Sequence, residues 1–364
     1  MSLTELSAMT KHNFNAGPSI LPRTVFEQAA AAVLDYNHTG LSILETGHRT
    51  AAFTEIMEEA RALVKELMGL DEDHEVLFLH GGASTQFMQV PMNLLDNKEC
   101  AAYADTGVWS GKAIKEAKLF GNVEVVCSSK DRNYAYIPKD FAVPNDAKYL
   151  HITTNNTIYG TQWKQIPHTS NVLVADMSSD ILSRRLKFNQ FGLIYAGVQK
   201  NIGPAGTTLV VVNPRILGKV KRALPTMMDY RNHIREGSML NTPPVFAVYV
   251  CLLNLRWLKQ MGGVDAMEKL NAEKAAMLYA EIDRNPLFQG QVDQADRSQM
   301  NVCFVAKDPA HEQPFLDHCR EYGITGIKGH RLSGGFRASL YNALSLSSVE
   351  VLTEAMRSFE EKMM

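Results

Sequence analysis

The sequence predicts an α/β protein whose main sheet is mostly parallel and carries helices on both faces. Short apolar runs alternate with longer amphipathic segments from residue 76 to residue 212. This alternation is typical of successive strand–helix units. A chain of 364 residues is long for a single hydrophobic core, so a second, smaller domain is expected beside the large one.

Local patterns predict each element in order. Amphipathic spacing predicts helices, and short runs rich in β-branched residues predict strands. Glycines at positions 69 and 121 are expected to close two of the helices. The predicted helices cover residues 27–35, 54–68, 86–95, 112–120, 245–253, 264–284, 312–322 and 348–362. The predicted strands cover residues 76–79, 101–104, 123–127, 149–153, 172–175, 193–196, 208–212 and 300–305.

A change of pattern at Gly262-Gly263 marks the expected domain boundary. Residues 17–262 are predicted to form the large domain. Residues 1–16 and 263–364 are predicted to form the smaller α+β domain, because strands and helices alternate there in a different order.

Composition excludes several classes of protein. Hydrophobic residues make up 45% of the chain, charged residues 21%, and the net charge is −2. A soluble globular protein is therefore expected, with no nucleic acid or membrane as its main partner. The five cysteines form no CxxC pair, which favours a reducing, cytoplasmic location. Residues 1–10 lack the basic and apolar regions of a signal peptide.

Two apolar runs each end near one isolated charge. Asp176 follows residues 171–175, and Lys200 follows residues 195–199. Buried charges need partners, and pyridoxal 5′-phosphate (PLP) would satisfy both. Its aldehyde condenses with a lysine, and its ring nitrogen pairs with a carboxylate. Taken alone, the two side chains could equally pair with each other or lie in solvent.

A glycine-rich segment, Gly81-Gly82-Ala83-Ser84-Thr85, separates a predicted strand from a helix. Its backbone N–H groups and hydroxyls would suit a phosphate, although an ordinary turn explains the segment as well. It matches neither the P-loop nor the dinucleotide-binding pattern. Trp109 follows another strand and could stack on a planar cofactor or simply pack. The histidines and cysteines have no zinc-site spacing, so no metal is predicted.

Basic residues lie in two glycine-flanked turns. His48 and Arg49 follow Gly47, and the second turn carries His330, Arg331 and Arg337. Guanidinium groups bind carboxylate and phosphate in two-point contacts. A doubly anionic substrate would explain this grouping, whereas any one of the arginines alone is as well explained by solvated surface charge.

Taken together, these segments resemble the phosphoserine aminotransferase family, fold-type I PLP enzymes of the class V aminotransferase group. The resemblance spans nearly the whole chain. Its most specific segments are residues 195–206, which contain Lys200, and residues 329–337. It implies a seven-stranded sheet in the large domain.

The resemblance also implies a role for each matching residue. Lys200 would carry PLP as a Schiff base and move a proton between substrate and cofactor, while Asp176 pairs with the pyridine nitrogen. The other cofactor-binding residues implied are Ala83, Ser84, Trp109, Thr157, Gln199, Asn241 and Thr242, the last two from the neighbouring subunit of a homodimer. Arg337 would bind the substrate α-carboxylate, and the substrate phosphate would lie among His48, Arg49, His330 and Arg331. Some family members have arginine at the position of Ser84, which leaves the geometry of that phosphate contact open.

The implied reaction is a ping-pong transamination in serine biosynthesis. Glutamate and 3-phosphohydroxypyruvate would give 2-oxoglutarate and O-phosphoserine. Formation of 4-phosphohydroxythreonine in pyridoxine biosynthesis is a further reaction that the sequence leaves open. Two alternatives are a related PLP enzyme, such as a cysteine desulfurase or an alanine–glyoxylate aminotransferase, and a non-enzymatic anion- or nucleotide-binding protein. The first alternative leaves the His–Arg pairs unexplained, and the second leaves Lys200 unexplained.

Overall fold

A computed structural model describes residues 11–364 of the chain. The prediction that residues 1–10 are not a signal peptide concerns residues outside this range. Most of the segment 1–16, which was assigned to the small domain, also lies outside it. Among the described residues, no helix combines the length and apolar character needed to cross a membrane.

The centre of the molecule is a seven-stranded sheet with the order β2-β8-β7-β6-β5-β3-β4. Strands β3 to β7 run parallel to one another, whereas β8 is antiparallel to both β7 and β2. The expectation of a mostly parallel sheet is confirmed. Its strands are Glu75–Leu79 (β2), Cys100–Asp105 (β3), Asn122–Ser128 (β4), Tyr149–Thr153 (β5), Val172–Asp176 (β6), Leu193–Gly197 (β7) and Thr208–Val212 (β8).

Two small sheets lie outside the central one. Strand β1 pairs in parallel with β11, and β10 lies between β9 and β12 in an antiparallel sheet. Their strands are His12–Asn13 (β1), Phe288–Gly290 (β9), Asn301–Ala306 (β10), Ile324–Thr325 (β11) and Phe336–Ser339 (β12).

Helices cover the central sheet and pack on the small sheets. Within residues 11–364 they are Arg23–Leu34 (α1), Ala51–Met68 (α2), Gly82–Leu94 (α3), Val108–Ala117 (α4), Tyr230–Arg235 (α5), Val245–Gln260 (α6), Gly263–Arg284 (α7), Glu312–Glu321 (α8) and Leu346–Met363 (α9). Helices α2 and α6 pack in one core that includes Phe53, Ile152 and Leu252, and α3 and α4 pack on the opposite face of the sheet. A separate core formed by α7, α8 and α9 surrounds Phe288 and Phe304.

Helices α1 to α4 each begin three or four residues earlier than the sequence pattern predicts. Helix α3 begins at Gly82 rather than residue 86, so Ala83 and Ser84 lie in its first turn. Helix α4 begins at Val108 rather than residue 112. There, Ser110 Oγ accepts hydrogen bonds from the backbone N–H groups of Thr106 and Gly107, which satisfies donors that a helix start leaves free. Small and polar residues at both starts hide the apolar periodicity.

Candidate active site

The parallel strands β6 and β7 bring Asp176 and Lys200 to the same edge of the sheet. Asp176 is the last residue of β6 and pairs in register with Tyr195 of β7. Lys200 lies in the turn that follows Gly197, the end of β7. Because the carboxyl ends of parallel strands share one edge, this edge is where α/β proteins commonly bind ligands.

Asp176 is buried, with 4% of its surface exposed. Its Oδ1 accepts hydrogen bonds from Ser178 N at 2.9 Å and Ser178 Oγ at 2.6 Å. Burial raises the pKa of Asp176, while the charge of Lys200 and the Ser178 hydrogen bonds act in the opposite direction. The other oxygen, Oδ2, accepts no hydrogen bond from residues 11–364.

Lys200 Nζ donates a 2.7 Å hydrogen bond to Thr157 Oγ1 and lies 5.4 Å from the centre of the Trp109 ring. Burial lowers the pKa of Lys200 to about 8; Asp176 opposes that shift and Arg337 adds to it. The ammonium therefore releases its proton much more readily than a lysine in water does. A neutral amine is the form that attacks carbonyl groups.

An N-terminal segment that contains Gly17 and Ser19 contacts the backbone at Lys200. Ser19 N donates to Gln199 O at 3.0 Å, and Ser19 Oγ donates to Lys200 O. A Cβ atom added to Gly17 would lie 3.3 Å from Lys200 Cγ. The segment around Gly17 therefore passes against the lysine stem and needs a residue without a side chain.

The first turn of α3 lines another part of the candidate site. Gly81, with φ of 97°, precedes the helix, and Thr85 Oγ1 donates to Gly81 O at 2.9 Å. A Cβ atom at Gly81 would lie 2.8 Å from Thr85 Cβ, so only glycine fits. The free N–H groups of this turn and the exposed Ser84 hydroxyl can bind an anion.

The basic side of the site comes from β12 and the loop before it. Arg337 lies opposite Cys303 in the register of β10 and β12, and its Nη1 donates to Thr157 O at 3.2 Å. Arg337 Nε is buried and has no hydrogen-bond partner within residues 11–364. Burial lowers the pKa of His330, and the positive charges of Arg337, Arg331 and Lys112 add to that effect. His330 is therefore biased towards its neutral form.

A cavity of about 400 Å³ joins these elements. Its lining includes most of the predicted cofactor residues and two of the predicted substrate residues. They are Ala83, Ser84, Trp109, Thr157, Asp176, Gln199, Lys200, His330 and Arg337.

The other predicted site residues do not line this cavity within one chain. His48 is partly buried, and its Nε2 has no hydrogen-bond partner in the described part of the chain, whereas Arg49 and Arg331 are exposed. Asn241 and Thr242 precede α6, whose N-cap is Pro244. The carbonyl of Thr242 lies 2.9 Å from His80 Nε2. The Thr242 carbonyl is therefore close to the turn between β2 and α3.

The sequence analysis overlooked two residues at the cavity. Ser178 contacts Asp176, and its Oγ accepts a 3.1 Å hydrogen bond from Gly197 N, which joins the ends of β6 and β7. Lys112 places Nζ 4.5 Å from the centre of the Trp109 ring. The spacing of 109 and 112, one helical turn, could have shown that these two side chains share a face.

Comparison with known proteins identifies the family. A family model described as aminotransferase class-V matches residues 11–352. A phosphoserine aminotransferase of Flavobacterium johnsoniae is 56% identical over 355 residues, which cover 97% of this chain and 100% of the relative. The chain belongs to the phosphoserine aminotransferase family. The family resemblance seen in the sequence is thereby confirmed.

Solved structures of this family share the fold. The phosphoserine aminotransferase from Bacillus circulans subsp. alkalophilus has a TM-score of 0.95 and 43% identity, covering 98% of this chain and 99% of that one. The PLP-bound phosphoserine aminotransferase from Trichomonas vaginalis has a TM-score of 0.91 and 35% identity, covering 96% and 100%. The fold-type I architecture expected from the sequence is confirmed.

Proposed function

We propose that this chain is a PLP-dependent phosphoserine aminotransferase that acts in L-serine biosynthesis. It transfers the amino group of glutamate to 3-phosphohydroxypyruvate and yields 2-oxoglutarate and O-phosphoserine. One observation carries the proposal: Asp176, Lys200 and Arg337 open onto a single cavity. An amine of lowered pKa, a buried carboxylate and a guanidinium group are the three functions that an amino-acid transaminase requires.

The residues present fit PLP. Asp176 Oδ2 has no partner among residues 11–364 and can accept a hydrogen bond from a protonated ring nitrogen. The first turn of α3, with Ala83 and Ser84, and the Gln199 side chain can bind the phosphate. Trp109 supplies an aromatic face, and Thr157 Oγ1 can bind the ring hydroxyl. Family members with arginine at position 84 have a guanidinium contact that this chain replaces with N–H groups and a hydroxyl.

When bound, PLP supplies an electron sink for the negative charge that develops on the substrate Cα. The chain's own residues do the remaining work. Asp176 keeps positive charge on the ring nitrogen, because a carboxylate favours a nearby cation. Lys200, with a pKa of about 8, accepts and returns a proton at Cα near neutral pH. Their positions at the end of β6 and in the turn after β7 hold both groups in place.

The two substrates share an α-carboxylate and differ in the distal anion, carboxylate in one and phosphate in the other. We assign the α-carboxylate to Arg337, which lines the cavity and whose buried Nε has no hydrogen-bond partner among residues 11–364. We assign the distal anion to His330, Arg331, His48 and Arg49. Guanidinium groups bind either anion, so one basic region serves both half-reactions.

The active form in this proposal is a cytosolic homodimer with two shared sites. Asn241 and Thr242 lie outside the cavity of their own chain and are assigned to the partner's PLP. His48 and Arg49 also lie outside the cavity of their own chain. We assign them to the distal anion of the substrate in the partner's site. The division into residues 17–262 and residues 1–16 with 263–364 belongs to the same proposal. All five cysteines are free thiols, which suits a reducing compartment.

A transaminase assay tests the proposal. Purified protein is supplied with PLP and glutamate, and 3-phosphohydroxypyruvate is compared with unphosphorylated hydroxypyruvate as the amino acceptor. We expect a visible absorption band from covalently bound PLP and a strong preference for the phosphorylated acceptor. A band with equal use of both acceptors would contradict the substrate assignment, and absence of the band would contradict the cofactor assignment.

A further inference from the structure

Three asparagines far apart in the sequence meet behind the candidate active site. Asn201, Asn271 and Asn342 are 5%, 1% and 2% exposed, respectively, and we call them the amide hub. Asn201 follows Lys200 directly, Asn271 lies in α7, and Asn342 follows β12, the strand that carries Arg337. The hub therefore draws on three separate elements.

The amide hub binds three consecutive backbone carbonyls. Asn201 Nδ2 donates to Ile181 O at 2.6 Å, Asn342 Nδ2 to Leu182 O at 2.9 Å, and Asn271 Nδ2 to Ser183 O at 2.9 Å. These carbonyls belong to the loop that follows Asp176. Leu182 has φ of 56°, a conformation that costs a non-glycine residue on the order of 1 kcal/mol. The amide hub therefore holds this loop in a shape that it would not adopt unaided.

The members of the hub also bind one another. Asn342 N donates to Asn201 Oδ1, and Asn271 Nδ2 donates to Asn342 Oδ1, both at 2.9 Å. A shift of any one member therefore disturbs the other two. Buried networks fix a single geometry when their members are paired. All three side-chain amide groups are paired here, whereas Asn271 Oδ1 is buried without a hydrogen-bond partner among residues 11–364.

Lys274 secures the same region one helical turn further along α7. Its side chain is fully buried, and Nζ donates to Leu340 O at 2.9 Å, Tyr341 O at 2.9 Å and Leu344 O at 3.1 Å. The three protons of an ammonium group are thus satisfied by three carbonyls. These carbonyls flank Asn342, so Lys274 holds the chain segment that presents Asn342 to the hub.

We propose that the amide hub and Lys274 are positioning residues, which hold the Asp176 loop, the Lys200 turn and the Arg337 strand in one mutual geometry. None of the four lines the cavity, so they act through their neighbours. The inference rests on the proposed function, because its readouts use PLP bound at Lys200.

The decisive variant is Asn271→Ala, which removes the hub contact contributed by α7 without touching the cavity. The matched control is Asn285→Ala, which removes another buried asparagine just beyond the same helix. Asn285 forms hydrogen bonds with Glu281, Met356 and Leu287. None of these residues belongs to the amide hub. Both variants lose buried hydrogen bonds, so both are expected to lower the melting temperature.

Only Asn271→Ala should change the site. We expect the pH midpoint of the visible PLP band to move by about 0.5 units or more, because the surroundings of Lys200 shift. We also expect kcat/KM for glutamate to fall about 10-fold, because Arg337 and Lys200 no longer hold their relative positions. Asn285→Ala should leave both quantities at the wild-type values.

Each outcome decides between the alternatives. If Asn271→Ala loses thermal stability but keeps the wild-type midpoint and kcat/KM, the hub is only structural and the inference is wrong. If that variant does not fold, Asn201→Ala is judged by the same two measurements. A wild-type protein without a visible PLP band would instead overturn the proposed function, so the two failures are distinguishable.

Discussion

At the scale of single residues, the surroundings of Lys200 set its readiness to react. Burial lowers its pKa from 10.5 to about 8, and the charge of Arg337 adds to the shift. Lys274 is also a buried lysine, with a pKa that burial lowers to about 7. The two differ in their neighbours: Lys274 Nζ meets three carbonyls, whereas Lys200 Nζ meets one hydroxyl and an open cavity. Of these two lysines, Lys200 is therefore the one that can reach a ligand.

The lowered pKa predicts how PLP attaches to the cofactor-free protein. Attachment requires the neutral amine, so its rate should rise with pH and level off above about 8, the pKa of Lys200. Stopped-flow absorbance at a series of pH values measures this midpoint. Arg337→Gln removes a charge that lowers the pKa, so its midpoint should lie higher. Lys200→Ala should stay folded and show no covalent attachment. A midpoint near 10.5 in the wild type would contradict the prediction.

Lys112 is expected to favour substrates with a distal anion. Its Nζ lies against the Trp109 ring, and its charge acts on His330. We predict that Lys112→Gln lowers kcat/KM for 3-phosphohydroxypyruvate about 3- to 10-fold more than for hydroxypyruvate, and that high salt reduces this difference. Lys115→Gln, on the same helix, is the control and should affect both acceptors alike. An equal loss for the two acceptors in Lys112→Gln would rule out this role.

At the scale of elements, the turn between β2 and α3 depends on two glycines with different surroundings. Gly81 and Gly82 have φ of 97° and 67°. An added Cβ would collide with Thr85 at Gly81, whereas none of the atoms compared lies within 4 Å of one at Gly82. The positive φ favours glycine at both positions. At position 81, a clash with Thr85 also excludes a side chain.

Alanine substitutions should separate these two effects. Gly82→Ala should cost about 1 kcal/mol of stability, the penalty for a left-handed conformation. Gly81→Ala should cost more and also weaken PLP binding, because Thr85 and the first turn of α3 must move. Melting temperatures of the cofactor-free variants and titration with PLP measure both quantities. Equal PLP affinity in the two variants would show that the turn does not bind the phosphate.

The elements show which parts of the molecule the sequence can predict. The strands at 149–153 and 208–212 were predicted at their observed bounds, because each is a short run rich in β-branched residues. Asp176 and Lys200 were each predicted at the end of an apolar run, and the structure places both at one edge because β6 and β7 are parallel. The amide hub was not predicted, since asparagines at 201, 271 and 342 carry no local pattern and meet only through tertiary packing. Ser178 was likewise overlooked, although it lies two residues from Asp176.

At the scale of the whole molecule, a homodimer with shared sites predicts complementation between two inactive variants. Lys200→Ala and Thr242→Glu should each be nearly inactive as homodimers. After dissociation and reassociation, mixed dimers have one site that carries neither change. Random pairing makes half of the dimers mixed, so activity should recover to roughly a quarter of the wild-type sites.

Controls make the complementation result decisive. Subunit exchange is verified with differently tagged chains, and each variant is also exchanged with itself, which should restore nothing. Absence of recovery despite verified exchange would place Thr242 in its own chain's site or away from PLP. Thr242→Ser, which keeps the hydroxyl, should remain active as a homodimer.

The pairing of β1 with β11 has a consequence for biosynthesis. Residue 12 finds its partner at residue 324, and the adjoining segment supplies Ser19 to the backbone of Lys200. A ribosome releases the first of these segments long before it makes the last. The growing polypeptide must therefore leave residue 12 without this partner until residue 324 has been translated.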